Sequence, residues 1–182
     1  MQGRALTRPF FMHLNVEIKA RVASLEPLRA FLLANQARFV GIDHQKDTYY
    51  RVSEGRLKLR QGNIERSLIF YRRNNQAGPK KSEVFLHPVS ADDTTLNDLL
   101  QQALKTDVVV EKTREIYFID NVKFHLDCVE ELGCFAEIEA IDADGTRGEA
   151  QLHAQCNHYM QSWNIQPTDL LTESYSDMLR GS

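Results

Sequence analysis

The chain has 182 residues, 42% hydrophobic and 26% charged, with a formal net charge of −3 and a sequence pI near 6.1. That length supports one hydrophobic core and hence one domain, and no stretch approaches the roughly 18 apolar residues of a membrane span. The three cysteines, Cys128, Cys134 and Cys156, form no CxxC, which argues against a disulfide framework or a zinc ribbon and fits a reducing, cytoplasmic setting.

Residues 1–13 read as a disordered leader or an upstream start, with Met12 as an alternative initiator, and a single domain is expected over 14–182. The first strand is predicted at residues 14–22, LNVEIKARV. Its Leu14, Val16, Ile18, Ala20 and Val22 alternate with Asn15, Glu17, Lys19 and Arg21, so one face is apolar and the other pairs a carboxylate with a cation. A helix is expected from Ser24, an N-cap candidate, with Pro27 in its first turns and Leu28, Phe31 and Leu32 at helical spacing. Strand-like segments follow at 36–43, 46–52, 56–61, 65–73 and 82–88, punctuated by Glu54-Gly55 and Gly62-Asn63. NNQAGPKK, residues 74–81, reads as a polar connection whose Lys80 and Lys81 could belong to a lid. A helix over 92–105 carries a stripe of Leu96, Leu99, Leu100 and Leu104. Further strands are predicted at 108–119, 122–129 and 134–142, then a helix over about 145–163 and a last segment holding Ser174 and Tyr175.

Charge is sorted along this order. Residues 51–81 hold nine Lys or Arg against two acids, and residues 127–149 hold eight acids against one arginine. Lys58 shares a strand face with Arg56 and Arg60, and Lys112 shares one with Arg114. Lys123, His125 and Asp127 alternate on another strand, as do Glu137 and Glu139. A solvated sheet face mixes signs, whereas here cations and carboxylates segregate by strand, which favours a metal-bridged phosphate over nucleic acid as the partner. About eight antiparallel strands with converging polar faces point to a closed barrel, apolar faces outward under the helices. His153 with Cys156 or His158 lacks a matching second pair of metal ligands, and Ser67 and Ser174 have no triad around them.

The series NVEIKARV, QKDTYY, GRLKLR, LIFYRR, VEKTREIYF, FHLDCVEELGCFAEIEA and SYSDML, spanning residues 14–179, resembles the CYTH superfamily of triphosphate tunnel metalloenzymes. The family includes class IV adenylate cyclases and thiamine triphosphatases. The resemblance implies an α+β fold: an eight-stranded antiparallel barrel, open at both ends, with helices outside and a triphosphate with divalent cations within. It also implies that Lys19, Lys58, Arg60, Arg72, Lys112 and Arg114 bind the triphosphate, that Glu17, Asp127, Glu137 and Glu139 hold Mg2+ or Mn2+, and that Glu17 and Lys19 are catalytic. Asn15 replaces the first glutamate of the family's ExExK signature, keeping an oxygen donor but losing a charge.

The implied activity is metal-dependent hydrolysis of inorganic triphosphate or of an organic triphosphate such as a nucleoside or thiamine triphosphate. The alternatives are cyclisation of ATP to cyclic AMP and pyrophosphate, or binding of polyphosphate or nucleotide without turnover. The expected partner is a triphosphate-containing small molecule rather than nucleic acid or membrane, and the expected state a monomer or homodimer. Trp163, Tyr49, Tyr50, Tyr117 and Phe118 read most simply as core, although Tyr49 or Tyr175 near a tunnel mouth could stack an organic group.

Overall fold

The computed structural model describes residues 11–73 and 80–181. Among these, the strands are β1 (Phe11–Arg21), β2 (Arg38–Tyr50), β3 (Arg56–Gln61), β4 (Arg66–Arg73), β5 (Lys80–Pro88), β6 (Thr106–Ile119), β7 (Val122–Val129) and β8 (Gly133–Asp142). The helices are α1 (Glu26–Ala34), α2 (Leu96–Ala103), α3 (Gly148–Ser162) and α4 (Tyr175–Arg180). The strand order is β1-β5-β4-β3-β2-β6-β7-β8, and β1 pairs antiparallel with both β5 and β8, so the sheet closes on itself. With the sheet closed, every described strand has a neighbour on both sides.

Alternation decides what faces where. On β1, β7 and β8 the even-numbered Val16, Ile18, Ala20, Val122, Phe124, Leu126, Ala136, Ile138 and Ala140 point outward and are buried. Leu28 and Leu32 of α1, Leu152 and Cys156 of α3, and Trp163 cover them. The main apolar core therefore lies outside the barrel, between strands and helices, and the odd-numbered polar residues are left to fill the inside. Phe124 and Leu126 are almost fully buried, each contributing about 1.5–3 kcal/mol on removal from water.

The elements depart from the sequence expectation at identifiable places. The first strand starts at Phe11, within the predicted leader, whose residues 1–10 lie outside the described ones. The segments expected at 36–43 and 46–52 are one strand, β2, because its pairing with β6 continues through His44 and Gln45. Its register shifts sit instead between Phe39 and Gly41 and between Tyr49 and Tyr50. The turn after β3 packs against β2: the Asp43 carboxylate accepts from the backbone N–H groups of Ile64 and Glu65 (2.8 and 3.0 Å), and a Cβ on Gly62 would come within 2.5 Å of it. Only glycine leaves that carboxylate its place.

Ser24 precedes the cap of α1 rather than forming it, its Oγ accepting from the Glu26 N–H (3.2 Å). Helix α2 begins later than predicted because the Asp93 carboxylate accepts from the N–H groups of Thr95 and Leu96, and its leucine stripe is not buried, Leu99 being 65% exposed. The backbone of Lys80 and Lys81 belongs to β5, and the rest of the predicted connection, residues 74–79, lies outside the described residues. Cys128 and Cys134 are opposed across the β7–β8 hairpin with Sγ atoms 2.9 Å apart, both as free thiols. Cys156 is separate and buried under β1.

Candidate polyphosphate site inside the barrel

The barrel encloses a cavity of about 390 Å³ to which all eight strands and the start of α4 contribute side chains. One end is filled: Tyr49, Val110, Val129 and Phe135 point inward and pack around Tyr175, backed by Leu171, Met178 and Leu179. Helix α4 is fixed there by the capping box of Ser174 and Asp177 and by ion pairs from Arg56 to Asp177 (2.7 Å) and from Arg180 to Asp107 (2.5 Å). The passage expected to be open at both ends is thus closed at one. Tyr49, expected in the core, and Tyr175 form part of this apolar stopper, and both also face the cavity.

Cations line the charged part of the cavity, each held by a carboxylate. Asp47, 1% exposed, accepts from Arg60 through both Oδ atoms (2.8 Å each), from Lys58 (2.8 Å) and from Lys112 (3.0 Å). Burial pushes its carboxyl pKa up, but Arg60, Lys112 and Lys58 outweigh burial and hold it well below the usual range. Arg114 forks onto Asp127 (Nε–Oδ1 2.7 Å) and also donates to Glu137 (2.8 Å), which in turn receives Lys19 (2.8 Å). The Lys19 ammonium lies 3.5 Å from the centre of the Tyr175 ring, whose hydroxyl donates to Asp127 (2.8 Å). Glu65 holds Arg60 (2.9 Å) and Lys123. His125 donates Nδ1–H to Glu137 (3.0 Å) and leaves a buried Nε2 without a partner. Burial, with Arg114 beside it, pushes its pKa down to about 3, so the ring is neutral.

Lys19, Lys58, Arg60, Lys112 and Arg114 therefore meet around one space. Arg72 does not join them. The inward residues of β4 are Ser67, Ile69 and Tyr71, so alternation puts Arg72 outside, exposed, 3.6 Å from Glu54. Sequence reasoning left Asp47, Glu65 and Lys123 without roles. Period-two spacing from Asp43 through Gln45 and Asp47 to Tyr49 was the available signal for the first of these.

Lys112 titrates close to neutral pH. Burial pushes its pKa down, Arg60, Arg114 and Lys58 push it further, and only Asp47 opposes them, leaving it at about 7. A bound polyanion would raise it again, so this lysine's contribution to polyanion affinity is present below pH 7 and is lost as pH rises past it, by up to about tenfold per unit. Calorimetric titration of tripolyphosphate from pH 6 to 9 should show this loss relative to Lys112→Arg, which stays charged and isolates the effect from the ligand's own ionisation. Parallel profiles would refute it.

A hard divalent cation takes oxygen ligands and tolerates few fixed protein donors when phosphate supplies the rest. Glu17 and Glu139 stand directly opposite on β1 and β8 and both face the cavity. Asn15 donates its amide N–H to Glu139 and keeps a buried Oδ1 without a partner. Burial pushes the Glu139 carboxyl pKa up, with Glu17 and Glu137 adding to it against Lys123. Two carboxylates and an orphaned amide oxygen suit such a cation. Asp127 and Glu137 suit it less: Asp127 is fully buried behind the wall, and the oxygens of both are occupied by Arg114, Tyr175, Lys19 and His125. Among the described residues no three His, Cys, Asp or Glu side chains form a ready-made metal cluster, so substrate oxygens would have to complete the shell.

A model of the CYTH domain matches residues 13–160. No curated protein sequence matches the chain. Among solved structures, PH1012 of Pyrococcus horikoshii superposes with a TM-score of 0.75 at 23% identity, over 90% of this chain and 98% of that one. A candidate adenylate cyclase of Vibrio parahaemolyticus gives 0.72 at 19% identity, covering 92% and 98%. HpAC1 of Hippeastrum, a candidate adenylyl cyclase with a dominant triphosphatase activity, gives 0.61 at 12% identity, covering 93% and 96%. At these identities the likeness is one of fold.

Proposed function

Because the chain belongs to the CYTH domain family, we propose that it is a metal-dependent phosphohydrolase acting on a triphosphate, inorganic or organic, bound inside the barrel. The observation that carries this reading is the convergence of five cations from β1, β3 and β6 on a cavity whose β1–β8 wall holds Glu17, Glu139 and the Asn15 amide oxygen. Phosphoryl transfer asks a protein for positioning and charge neutralisation more than for covalent help. Arg60 and Arg114 offer planar forks for phosphate oxygens, and Lys19, Lys58 and Lys112 supply compact charges, all aimed before substrate arrives. Asp47, Asp127 and Glu137 hold those cations in place and are positioning residues. Mg2+ or Mn2+ held by Glu17, Glu139 and Asn15 would supply Lewis-acid polarisation of the phosphoryl oxygens.

In the proposed reaction a water oxygen bonds to the terminal phosphorus as the bridging P–O bond breaks; the diphosphate part departs with the bridging oxygen and its electron pair, the water proton passes to the products, and phosphate carrying the water oxygen is released. The test is turnover of tripolyphosphate, ATP and thiamine triphosphate with Mg2+ or Mn2+, resolving phosphate from cyclic AMP and pyrophosphate. Phosphate release is expected. Cyclic AMP would replace this reading with a cyclase, and tight binding without product would make the protein a polyphosphate binder.

A further inference from the structure

Cys128 and Cys134 take no part in the cavity. Both lie on the outer, even-numbered face of the β7–β8 hairpin, in line with Leu126 and Ala136, but next to the turn, where Cys128 is exposed and Cys134 half-buried. They stand directly opposite each other in register, with Sγ atoms 2.9 Å apart. The backbone accounts for this approach. In an antiparallel strand the N–H and C=O of one residue point to the same neighbouring strand, and that direction alternates along the chain. The Cys134 carbonyl accepts from the Val22 N–H at the end of β1 (3.2 Å), and the Glu130 N–H, two residues past Cys128, donates to the Glu111 carbonyl of β6 (3.0 Å). Both cysteines thus turn their backbone groups away from each other and form a non-hydrogen-bonded pair, in which the Cα atoms come to about 4.5 Å and the side chains lie closest. A disulfide spans Cα atoms about 4.4–6.8 Å apart, so the strands need not move for the two sulfurs to bond.

Each cysteine adjoins a residue of the closed end. Asp127 holds Arg114 and the Tyr175 hydroxyl, and the Phe135 ring packs 4.9 Å from that of Tyr175. Cys156 stays apart, its thiol donating to the Val16 carbonyl under β1 (3.1 Å). We infer that Cys128 and Cys134 are a redox modification site, a dithiol that a small disulfide converts to a cross-strand disulfide stapling the hairpin behind the closed end of the barrel. With oxidised glutathione, one protein thiolate attacks a glutathione sulfur and expels the first glutathione thiolate. The second protein thiolate attacks the protein sulfur of that mixed disulfide and expels the other. Two protein thiols are oxidised, one small disulfide is reduced, and the two protons pass to the departing thiolates. Partial desolvation and the adjoining Cys134 thiol push the Cys128 pKa up to about 11, so exchange at neutral pH is slow. Proximity selects the product, because the second step is intramolecular.

The test is incubation of the whole chain, natively folded, with oxidised glutathione, followed by alkylation, mass spectrometry and backbone amide exchange. The expected product has lost two hydrogens, carries no glutathione, is linked between residues 128 and 134 on cleavage after Glu130 or Glu131, and reverts with dithiothreitol. Amide exchange in the hairpin turn and in α4 should slow by at least about threefold on oxidation. Cys134→Ser, or Cys128→Ser where the first fails to fold, should instead keep one glutathione. A lasting glutathione adduct on the native sequence, a disulfide-linked dimer, a bond to Cys156, thiols left unmodified after prolonged incubation, or a disulfide that leaves amide exchange unchanged would each overturn the inference.

Discussion

Glu17→Gln is expected to lower metal-dependent turnover by at least about 100-fold, a loss of roughly 3 kcal/mol of transition-state stabilisation. The substitution keeps shape and hydrogen-bonding capacity and removes one charge from a wall where Glu17 and Glu139 stand opposite each other. A divalent cation would then have one carboxylate and the Asn15 amide oxygen, so Mn2+ titration should show a matching loss of affinity. Metal-free binding of tripolyphosphate should be unchanged or slightly tighter, because a negative charge beside the phosphates is gone. Losing turnover and Mn2+ affinity together, with anion binding retained, separates a metal-holding residue from a merely structural one. Full activity in the variant would remove Glu17 from the metal assignment.

Asp47→Asn is expected to cost about 3–5 kcal/mol of stability, since it leaves Arg60, Lys58 and Lys112 without the carboxylate that neutralises them inside the barrel. For a domain of this size that corresponds to a fall in Tm of roughly 10 °C. Tripolyphosphate should restore more of the loss than it adds to the wild type, because the anion supplies the missing negative charge to the same cations. Thermal melts with and without tripolyphosphate read both effects. A variant that melts with the wild type, or that gains no more from the ligand, would show that Asp47 is not the counter-ion around which the cations are organised.

The inverted barrel was legible because β1, β3, β6 and β8 alternate cleanly, and alternation carries phase. Where it fails, phase is lost. LIFYRR is apolar on both faces, so nothing in it told which of its residues point inward, and Arg72 was assigned to the wrong side. Asp47 was passed over because like charges were sought together, and a lone acid among cations reads as a solvated neighbour until the structure places three ammonium and guanidinium groups around it. Asn15 looked like a deficit. Facing Glu139, an amide can donate where a second carboxylate would repel, so the substitution keeps the wall together as well as lowering its charge. The absence of a CxxC left Cys128 and Cys134 unconnected, and it is the register of the β7–β8 hairpin that sets them opposite each other. The closed end depends on Tyr175 meeting Tyr49 and Phe135 from distant parts of the chain, a contact that no local pattern encodes.

The pairing of β1 also sets an order of assembly. Glu17 lies against Lys80 of β5 on one side and Glu139 of β8 on the other, so β1 meets one neighbour midway along the chain and the other only when the last strand is made. Such non-local pairing makes folding slow, and it leaves β1 waiting while the rest of the sheet is synthesised. A nascent chain that stops short of β8 has open edges at both β1 and β7, the kind of surface that recruits other chains. Ring closure by the β1–β8 seam is thus the step that turns an association-prone curled sheet into a closed barrel, and it brings Glu17 and Glu139 together at the same moment.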